Sequence, residues 1–384
     1  LSIAYLTTRS TNLQVILRKL LTLRPGDCKL YLSMHTCANG DGAVAITIKD
    51  IAKRAGVSHS TVSRALRVNH LVASETALRI RQVAQEMGYR PSAVARSLKT
   101  NRTQVLGVIV SSISDPFFSE ILNGIEVSAQ AGGYSLFIAA SQHDPVKERQ
   151  IVQTMMEQRT DGVIICSSSF SPEHGRQLLS YGFPVVVVNH QGSESFNYSI
   201  YHDDVDGSSQ ITRHLISLGH KRIAYLGNAQ SGRTTQDRLR GFLDAMTEAN
   251  LPDSESYIHH VEGGEPNLGA ESVAYFAKLT PRPTAIVCFN DMLAIGVLKG
   301  CEQAGLSVPK DLSVTGFDNI TYSAFTIPCL TTFDQPKLSI GQEAAQLLLD
   351  LLQAENRIIP ETPNVKVLQG KLLVRESTGK PAEV

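Results

Sequence analysis

The sequence lacks the features that would place it in a membrane or in a secretory route. No run of about 18 uncharged apolar residues occurs, so no segment is suited to span a bilayer. The first 25 residues do not form a secretory signal, because Arg18 and Lys19 interrupt their only apolar run and no small-residue cleavage site follows. We therefore expect a cytoplasmic protein without a membrane partner.

Cysteine is scarce, and the six cysteines of the 384 residues include no CxxC pair and no set with the ligand spacing of zinc. This pattern indicates reduced thiols in a protein without a metal or another cofactor. The glycine patterns of nucleotide sites are absent, as are the GxSxG and HExxH patterns of hydrolases. His214 and His220 have no serine or cysteine partner that the sequence reveals. We therefore expect that the protein is not an enzyme.

The motif HDD at residues 202–204 permits two interpretations. Its histidine and two carboxylates could hold a metal ion or exchange protons with a substrate. The motif also follows a predicted strand and leads into VDGSSQ, which is typical of a turn. The second interpretation, a turn that crosses between two lobes, is favoured.

The net charge of the chain is zero, but the charge is unevenly distributed. Residues 46–103 contain eleven Lys and Arg against three Asp and Glu, whereas residues 104–384 contain twenty basic and thirty-one acidic side chains. A small module of net charge +8 thus precedes a large module of net charge −11. The asymmetry indicates a head that binds a polyanion, although an ordinary solvated surface would carry the same excess of base.

Three short helical patterns follow one another in the basic module. Thr47 with Asp50 has the spacing of a capping box, and Gly56 ends the first pattern. The third pattern begins at Ser74 and stops at Gly88, with apolar residues at helical spacing between them. Three helices within about forty residues predict one small all-α domain.

The second pattern, VSHSTVSRAL at 57–66, is unusual because small and hydroxyl side chains crowd its first turns. On a helical wheel Val62, Ala65 and Leu66 face the other helices, while the opposite stripe is short, polar and ends in arginine. A thin polar helix fits deep in the major groove of B-DNA, where an arginine offers two donors to guanine. The first two patterns therefore predict a helix-turn-helix. The residues expected to face DNA are His59, Ser60, Thr61, Ser63, Arg64 and Arg67.

From residue 104 onward, apolar runs of strand length alternate with amphipathic helices. Such runs are typical of strands buried on both faces, and hence of parallel sheets with helices on either side. Because about 280 residues exceed what one open sheet usually holds, we predict two doubly wound α/β lobes. The runs are VLGVIV, YSLFIA, GVIIC, PVVVV, RIAYLG, TAIVCF and LSVTGF.

Ligands of such sheets bind beyond the carboxyl ends of the strands, so the polar and aromatic residues at those ends are candidates for a ligand site. Two phenylalanines with several Asp, Asn and Arg side chains suit a sugar, whose ring faces stack and whose hydroxyls need paired partners. Each residue taken alone fits a turn or a helix cap equally well. The predicted contacts are Asp115, Phe117, Phe118, Arg238, Asn290, Asp318 and Gln335.

The stretch ITIKDIAKRAGVSHSTVSRAL, followed by YRPSAVARSLKTNRTQVLGVIV, resembles the head of the lactose-repressor and galactose-repressor family of transcription regulators. The resemblance continues through the carboxyl-terminal portion, and PSAVARSLK is similar to the purine-repressor members. It implies that His59, Ser60 and Arg64 read bases of operator DNA. His59 and Ser60 differ from the pair of the best-known members, so the operator sequence stays open.

The resemblance also gives a role to residues 91–99. Nine residues do not hold a helix unaided in water, and their composition alone favours a plain linker. In the family this segment is a hinge helix that orders on DNA, pairs with that of a second subunit and inserts a leucine into the minor groove. Leu98 matches that leucine, and Ala95 and Lys99 are expected to contact DNA beside it.

For the large module, the resemblance implies a periplasmic-binding-protein-like effector domain in a homodimer or tetramer on a palindromic operator. Phe117 and Phe118 match aromatic positions that stack on the ligand in purine-repressor members, but VEGGEPN supplies no aromatic to complete a purine sandwich. A sugar or sugar phosphate is therefore the expected effector. The residues that match effector-contacting positions are Arg238, Asn290, Asp318 and Gln335.

Three alternatives stay open at this point. A nucleobase-responsive repressor of the same family would differ only in its effector. A sugar-binding transport receptor shares the two-lobed fold but has no basic head, and a DNA-binding architectural protein has no ligand cleft. The sequence does not decide whether the effector releases or strengthens operator binding.

The expected domain organisation follows from these patterns and from the resemblance. Residues 1–45 match nothing in the family, and we expect translation to start at Met34 or this extension to be a disordered arm. The helix-turn-helix domain is expected at 46–90, the hinge helix and linker at 91–103, and the effector-binding and dimerisation domain at 104–384. The first lobe is expected to comprise 104–203 and 334–362, and the second lobe 204–333 and 363–376.

Overall fold

The computed structural model describes residues 46–66, 72–89, 97, 100–166, 184–189, 197–251, 255–354 and 364–382. The chain divides into two compact units between Ser92 and Ala93. Each unit has its own core. The extension 1–45 with Met34 lies outside the described residues, as do the predicted DNA contacts Arg67, Ala95, Leu98 and Lys99.

The described residues of the first unit, called the head, form the helices α1 (Ile48–Ala55), α2 (His59–Leu66) and α3 (Ser74–Glu86). The Asp50 carboxylate accepts hydrogen bonds from the backbone N–H and the hydroxyl of Thr47, at 2.9 and 2.7 Å. These bonds satisfy a backbone donor at the start of α1. The helix ends at Gly56, whose φ of +66° is a conformation that glycine adopts without strain.

One large apolar side chain from each helix forms the centre of the head. Ile51 of α1, Val62 of α2 and Ile80 of α3 are each 0% exposed. Small alanines fill the space around them, which lets the helices approach closely. A core of this size gives a small domain only marginal stability, so each of these side chains contributes a large share of it.

The second unit contains a parallel sheet, the first sheet, at the centre of what we call the first lobe. Its strands are β1 (Val105–Val110), β2 (Ser135–Ala140), β3 (Gly162–Cys166), β4 (Val185–Val188), β5 (Tyr198–His202) and β11 (Asn364–Leu368). They lie in the order β11-β5-β4-β3-β1-β2. The helices α4 (Pro116–Ala131) and α10 (Lys337–Gln353) cover one face, and α5 (Pro145–Glu157) covers the other.

A second sheet of six strands forms the second lobe. Its strands are β6 (Ile223–Asn228), β7 (Ile258–Val261), β8 (Ala285–Cys288), β9 (Ser313–Asp318), β10 (Thr331–Asp334) and β12 (Lys371–Leu373). Their order is β12-β10-β9-β8-β6-β7, and only the β10–β12 pair is antiparallel among the described pairs. The helices of this lobe are α6 (Asp204–Ser217), α7 (Arg233–Glu248), α8 (Pro266–Ala277) and α9 (Asp291–Gln303).

All seven apolar runs of the sequence form strands, and the predicted two-lobed α/β architecture is confirmed. The expectation that each run is buried on both faces is wrong for β2. Phe137 and Ile138 are 37% and 40% exposed, because β2 lies at the free edge of the first sheet. The sequence could not distinguish an edge strand of this kind from a central one, since both are rich in apolar residues.

The chain crosses between the lobes three times, after β5, after β10 and after β11. The third crossing corrects a predicted boundary, since residues 364–368 were expected in the second lobe. They form β11, which pairs in parallel with β5 at the edge of the first sheet. A short, largely exposed edge strand has no buried run that would reveal its partner.

The HDD motif stands at the first crossing, as the turn interpretation predicts. Asp203 is the N-cap of α6, and its carboxylate accepts a hydrogen bond from the backbone N–H of Asp206 at 3.0 Å. Within the described ranges, no group of three or more His, Cys, Asp and Glu side chains could hold a metal ion. No helix of those ranges is long and apolar enough to cross a membrane. Cys166, Cys288, Cys301 and Cys329 are free thiols.

Candidate functional site

The outer face of α2 carries the residues predicted to meet DNA. Val62 and Ala65 face the core and are at most 1% exposed, so the orientation predicted from the helical wheel is confirmed. The opposite face presents short polar side chains and one arginine to solvent. Its described residues are His59, Ser60, Thr61, Ser63 and Arg64. Their contact with DNA stays a prediction.

Ser58 organises the start of this face, although sequence reasoning did not single it out. Its hydroxyl accepts a hydrogen bond from the backbone N–H of Thr61 at 3.1 Å. The same oxygen lies 2.8 Å from the hydroxyls of Ser60 and Thr61. A serine just before a helix that accepts from its third residue is an N-cap, and this spacing was the available signal.

Two of the arginines counted in the basic module stabilise the head itself. Arg79 of α3 donates to the carbonyl oxygen of Ala55 at 3.2 Å, and Arg81 donates to that of Ala65 at 3.2 Å. Both carbonyls lie in the last turns of helices, where cations are favourable. Only part of the basic charge of the head is therefore free to face a polyanion.

The second candidate site is a cavity of about 440 Å³ between the two lobes. The first lobe contributes residues that follow β1, β2 and β4, and the second lobe contributes residues that follow β6, β7, β8 and β9. This is the place where strand ends of two doubly wound sheets meet. The predicted contacts that line the cavity are Asp115, Phe117, Phe118, Arg238, Asn290 and Asp318.

Gln335 is the predicted contact that does not line the cavity. Its side chain is 1% exposed and lies behind Asp318, where Nε2 donates to Asp318 Oδ1 at 2.6 Å. The Gln335 Oε1 atom is buried without a hydrogen-bond partner among the described residues. The sequence placed Gln335 correctly at a strand end, but it could not show that a neighbouring carboxylate lies between this amide and the cavity.

Two of the cavity residues also cap helices. Asp115 Oδ1 accepts from the backbone N–H of Phe117 at 3.0 Å at the start of α4. Asn290 Oδ1 accepts from the backbone N–H of Leu293 at 2.8 Å at the start of α9, and its Nδ2 donates to the carbonyl oxygen of Gly264 at 3.3 Å. The capping interpretation and the cavity interpretation therefore both apply, because the helix N-termini themselves border the cavity.

The two phenylalanines form one wall of the cavity. The rings of Phe117 and Phe118 are 5.1 Å apart and nearly perpendicular. They are 7% and 4% exposed, so most of each ring packs into the core of the first lobe. Only a limited apolar surface thus remains for a ligand, and that surface is rigid.

Arg238 is the centre of a buried charged cluster on the opposite wall. Its Nε donates to Asp204 Oδ1 at 2.7 Å, its Nη1 donates to the carbonyl oxygen of Phe289 at 2.5 Å, and Nη1 lies 3.6 Å from Asp318 Oδ1. The guanidinium also stacks on Phe317, with 3.8 Å between Cζ and the ring centroid. Burial lowers the pKa of Arg238, but Asp204 and Asp318 outweigh this effect and raise the pKa above its usual value.

The two carboxylates beside Arg238 have opposite pKa shifts. Burial raises the pKa of Asp204, but His202 and Arg238 outweigh it, and the pKa falls to about 2. His202 Nε2 lies 3.1 Å from Asp204 Oδ1. Burial raises the pKa of Asp318 well above its usual value, because Arg238 is farther away and Asp291 and Asp115 add repulsion. Asp318 thus lines the cavity in an environment that disfavours its ionised form.

The backbone of Asp318 is itself unusual. Its φ is +113°, and that of Asn319 is +52°. Asparagine tolerates an angle like that of Asn319, whereas a residue other than glycine adopts an angle like that of Asp318 at a cost and keeps it where surrounding contacts hold it. Strain of this kind at a cavity wall is typical of residues whose direction matters for binding.

Acidic side chains from both lobes face the cavity. Burial raises the pKa of Asp115, although the hydrogen bond from Phe117 opposes the shift. Glu265, from the second lobe, adds to this shift, so the two carboxylates repel each other across the cleft. Burial also lowers the pKa of His143 below its usual value, which favours the neutral imidazole at neutral pH.

Sequence reasoning missed several lining residues. Asn228 accepts from the backbone N–H of Gln230 at 2.9 Å and donates to the Ser231 hydroxyl at 2.7 Å, and it stands at the end of the recognised strand β6. Its position at the end of a recognised strand could have identified it as a candidate from the sequence. His143 and Glu265 follow β2 and β7, and β7 was not recognised as a strand. The missed residues that matter most are Ser111, Ser112, Ser114, His143, Asn228, Glu265 and Phe289.

His214 and His220 lie away from the cavity and contact hydroxyl groups and the carboxyl-terminal segment. His220 Nδ1 lies 2.9 Å from the Thr284 hydroxyl, and its Nε2 lies 2.8 Å from the carbonyl oxygen of Gly379. His214 Nε2 lies 3.0 Å from the Thr378 hydroxyl. These contacts hold the segment around residues 378–379 to the second lobe.

A helix-turn-helix head and a two-lobed α/β unit with a ligand-sized cavity, in one chain, define a transcription regulator with an effector domain. The description "Periplasmic binding protein-like domain" matches residues 212–378, and "Bacterial regulatory proteins, lacI family" matches residues 47–92. The chain is 37% identical over 310 residues to the HTH-type transcriptional repressor PurR of Actinobacillus pleuropneumoniae serotype 3 (strain JL03), which covers 80% of this chain and 92% of the relative.

Solved structures give the same classification. The lac repressor dimer bound to operator and the anti-inducer ONPF has a TM-score of 0.78 at 26% identity, over 87% of this chain and 99% of that chain. A LacI family transcriptional regulator from Enterococcus faecium with bound ribose has a TM-score of 0.64 at 28% identity, over 72% of this chain and 99% of that chain. The chain belongs to the lacI family of bacterial regulatory proteins. The predicted family, fold class and DNA-binding regulatory function are confirmed.

Proposed function

We propose that the protein is a cytoplasmic homodimeric repressor of transcription that binds a palindromic operator and is switched by an uncharged sugar between its lobes. The observation that carries the proposal is the cavity, where a rigid aromatic wall faces a wall of buried polar side chains. Such a combination suits a ring with apolar faces and several hydroxyls. It is joined in one chain to a head whose exposed helix face suits a major groove.

The head is proposed to read bases through the outer face of α2. Arg64 has the length and the donors for guanine, while His59 and Ser60 are exposed at the start of the helix. The hydroxyls of Thr61 and Ser63 and the guanidinium of Arg67 are proposed to contact the operator beside them. Ala95, Leu98 and Lys99 keep their proposed role in a hinge that enters the minor groove.

The charge of the cavity favours a neutral sugar over a sugar phosphate. Asp115 and Glu265 line the cavity together with Arg233 and Arg238, while the raised pKa of Asp318 disfavours a negative charge on that side chain. Each arginine already has a carboxylate partner, since Arg233 Nε lies 3.1 Å from Asp237 Oδ2 and Arg238 is paired as described above. A phosphate would therefore meet more negative than positive charge.

A nucleobase is the second candidate effector, because a curated relative is named as the repressor PurR. A flat base needs a second ring to stack against on the wall that faces Phe117 and Phe118. The segment after β7 supplies Gly264 and Glu265 instead of an aromatic residue, and the ring of Phe289, which also lines the cavity from the second lobe, is covered by the Arg238 guanidinium at 4.6 Å. Ribose is bound in the related Enterococcus faecium regulator, which supports the sugar class.

The dimer is proposed to use the exposed edge of the first lobe. Ile113, Val127, Phe137 and Ile138 are between 37% and 61% exposed near β2 and α4. Covering an edge strand with exposed apolar side chains by a second subunit is favourable, because it removes apolar surface from water. The related lac repressor is described as a dimer on its operator, and a two-fold axis would match a palindrome.

The switch is proposed to be a change in the closure of the lobes, which alters the spacing of the two hinges. A coupling of about 1–3 kcal/mol between effector and operator would change operator affinity several-fold to about a hundredfold. The direction of the change, induction or co-repression, is an outcome of the experiment.

The testing experiment is a thermal-shift screen of the full chain against sugars, sugar phosphates and nucleobases, followed by operator binding with each compound that stabilises it. The proposal expects stabilisation by a neutral sugar and a change of operator affinity with the same compound. Asp318→Ala should abolish both responses and leave operator binding intact, whereas the control Asp244→Ala, at an exposed surface pair, should change neither. A response to nucleobases alone, or a normal sugar response in Asp318→Ala, would refute the proposed effector site.

A further inference from the structure

Lys337 is a buried ammonium at the point where the chain returns from the second lobe to the first. β10 ends at Asp334 in the second sheet, and α10 begins at Lys337. Ile340, one turn later, packs in the core of the first lobe. The Lys337 side chain is 1% exposed, so its charge has left water and needs partners inside the protein.

The hydrogen-bond partners of this ammonium are backbone carbonyls of the second lobe. Lys337 Nζ donates to the carbonyl oxygen of Asp318 at 2.5 Å and to that of Asn319 at 3.1 Å. The Asp334 carboxylate lies 3.7 Å from Nζ and supplies negative charge. An ammonium has three donors, and the carbonyl oxygen of Gln335, just after β10, accepts from the third at 3.5 Å.

One of these carbonyls belongs to Asp318, which lines the cavity, and the other to Asn319, the next residue in the chain. The φ angle of Asp318, +113°, needs surrounding contacts that hold it, whereas Asn319 at +52° lies in the left-handed region that asparagine tolerates. Lys337 bonds their carbonyls from the side away from the cavity, while the Asp318 carboxylate faces the cavity. Fixing the carbonyl fixes the peptide plane, and with it the direction in which the Asp318 side chain leaves the backbone.

The first lobe supplies a further charged partner of Lys337. Glu120 Oε2 lies 3.7 Å from Lys337 Nζ, and Glu120 belongs to α4. The first turn of the same helix carries Phe117 and Phe118, which form the aromatic wall. One buried ammonium thus lies between the helix of the aromatic wall and the strand end of the acidic wall.

We propose that Lys337 is a positioning residue of the effector site, which fixes Asp318 from the first lobe and links the two lobes behind the cavity. Lys337 does not line the cavity and acts on the ligand through Asp318. The inference rests on the proposed function for the identity of the site, whereas the contacts that carry it are independent of any ligand.

The first test is amide hydrogen exchange in the ligand-free full chain, read by mass spectrometry. Lys337→Met keeps the length of the side chain and removes its charge and its donors. We expect exchange in peptides covering residues 313–325 to become at least about tenfold faster, with the strands β6 and β8 unchanged. The control Lys299→Met, at a surface pair with Glu302, should leave both regions unchanged. Unchanged exchange over 313–325 in Lys337→Met would overturn the proposal.

The second test measures sugar affinity by calorimetry, with D-ribose, D-glucose and D-galactose as the probes. Against the probe that binds the unmodified protein most tightly, Lys337→Met should weaken binding at least about tenfold. Lys337→Arg, which keeps the charge, should restore part of the affinity, a rescue that general destabilisation would not produce. Affinity of Lys337→Met within about twofold of the unmodified protein would contradict the positioning role.

The two tests separate this inference from the proposed function. If none of the three sugars binds the unmodified protein, the proposed effector class is wrong, and the exchange measurement still decides the role of Lys337. Operator binding without sugar should be equal in the control Lys299→Met and in the unmodified protein, because Lys299 belongs to an exposed surface pair outside the head. If Lys337→Met does not fold, Glu120→Gln takes its place, because it removes the first-lobe charge beside Lys337, and faster exchange over 313–325 is then the required result.

Discussion

In the head, the side chains expected to meet DNA point into solvent from one helix, whereas in the effector domain the polar side chains of the cleft are buried and come from distant segments. His59 and Arg64 are exposed and five residues apart in the chain. Asp204, Arg238 and Asp318 are each at most 6% exposed and are brought together by three different elements. The residues proposed to bind DNA therefore lie outside the core of the head. The residues proposed to form the effector site, in contrast, are part of the buried interior of the effector domain.

This difference determines how a substitution acts. An exposed side chain can be removed with little effect on folding, because water replaces its contacts. A buried charge cannot be removed alone, because its partner is then left in a poor solvent without a counter-charge. Binding and stability should consequently be separable in the head and coupled in the effector domain.

The largest expected effect is that of Arg238→Met. The variant leaves the carboxylate of Asp204, with a pKa of about 2, buried without its guanidinium partner. We expect a loss of about 3–5 kcal/mol in the free energy of unfolding of the effector domain, measured by urea denaturation at pH 7. The ligand response should disappear in the same variant.

Arg213→Met is the matched control. Arg213 pairs with Glu248 at 2.9 Å, but the two side chains are 51% and 60% exposed. An exposed pair of this kind contributes about 0–1 kcal/mol, so the control should unfold almost like the unmodified protein. Equal losses in the two variants would show that burial does not separate the two classes of residue.

The same contrast explains what could be predicted from the sequence. Helical periodicity sufficed to orient α2, because each residue on its outer face takes its role from its own position on one helix. The strand-end rule likewise placed Asp115, Asn290 and Asp318 at the cleft, since all follow strands with strongly apolar sequences. Local patterns of this kind carry the fold class and the general position of the site.

The pairings behind the cleft could not be predicted in the same way. That Gln335 reaches Asp318, or that Lys337 reaches the carbonyl of Asn319, depends on which strand ends become neighbours in three dimensions. The two edge strands of the first sheet could not be predicted either. The apolar composition of β2 suggests a central strand, and β11 has too few apolar residues to be recognised as a strand. Contacts between distant segments leave no periodic signal in either of them.

The next largest effect is expected in the core of the head. Ile80 is 0% exposed, and Ile80→Ala should cost about 2–5 kcal/mol, which is most of the stability that so small a domain has. Scanning calorimetry should show a lower melting temperature for the head and an unchanged transition for the effector domain. Leu78→Ala, on the same helix but at a residue 65% exposed, is the control and should shift neither transition. A common shift of both transitions would mean that the two units do not unfold separately.

Arg64→Ala tests the claim that binding and folding are separable in the head. The variant should lose about 1–3 kcal/mol of operator affinity and relax one base position, while its melting temperature stays the same. The measurement is selection of preferred sequences from a random duplex library, followed by titration of the selected site. Lys310→Ala removes one exposed positive charge in the effector domain and should preserve both affinity and base preference. Unchanged base preference in Arg64→Ala would contradict the assigned recognition face.

The last expected effect is a gradual dependence of stability on pH, at most about 1.4 kcal/mol for each pH unit, that the effector domain should show. Burial raises the pKa of Asp291 to about 7, although hydrogen bonds from Thr332 and Ile320 lower it, whereas an unfolded chain has the ordinary value of 3.8. Between those values the folded state holds a proton that the unfolded state has released, so the free energy of unfolding falls as pH rises through this window. The contribution is at most about 1.4 kcal/mol per pH unit.

Urea titrations from pH 5 to pH 8 should show this slope in the unmodified protein and in the exposed control Asp244→Asn, and a shallower slope in Asp291→Asn. An identical slope in all three would show that Asp291 is ionised throughout this range and that its burial is compensated by the contacts of the folded state.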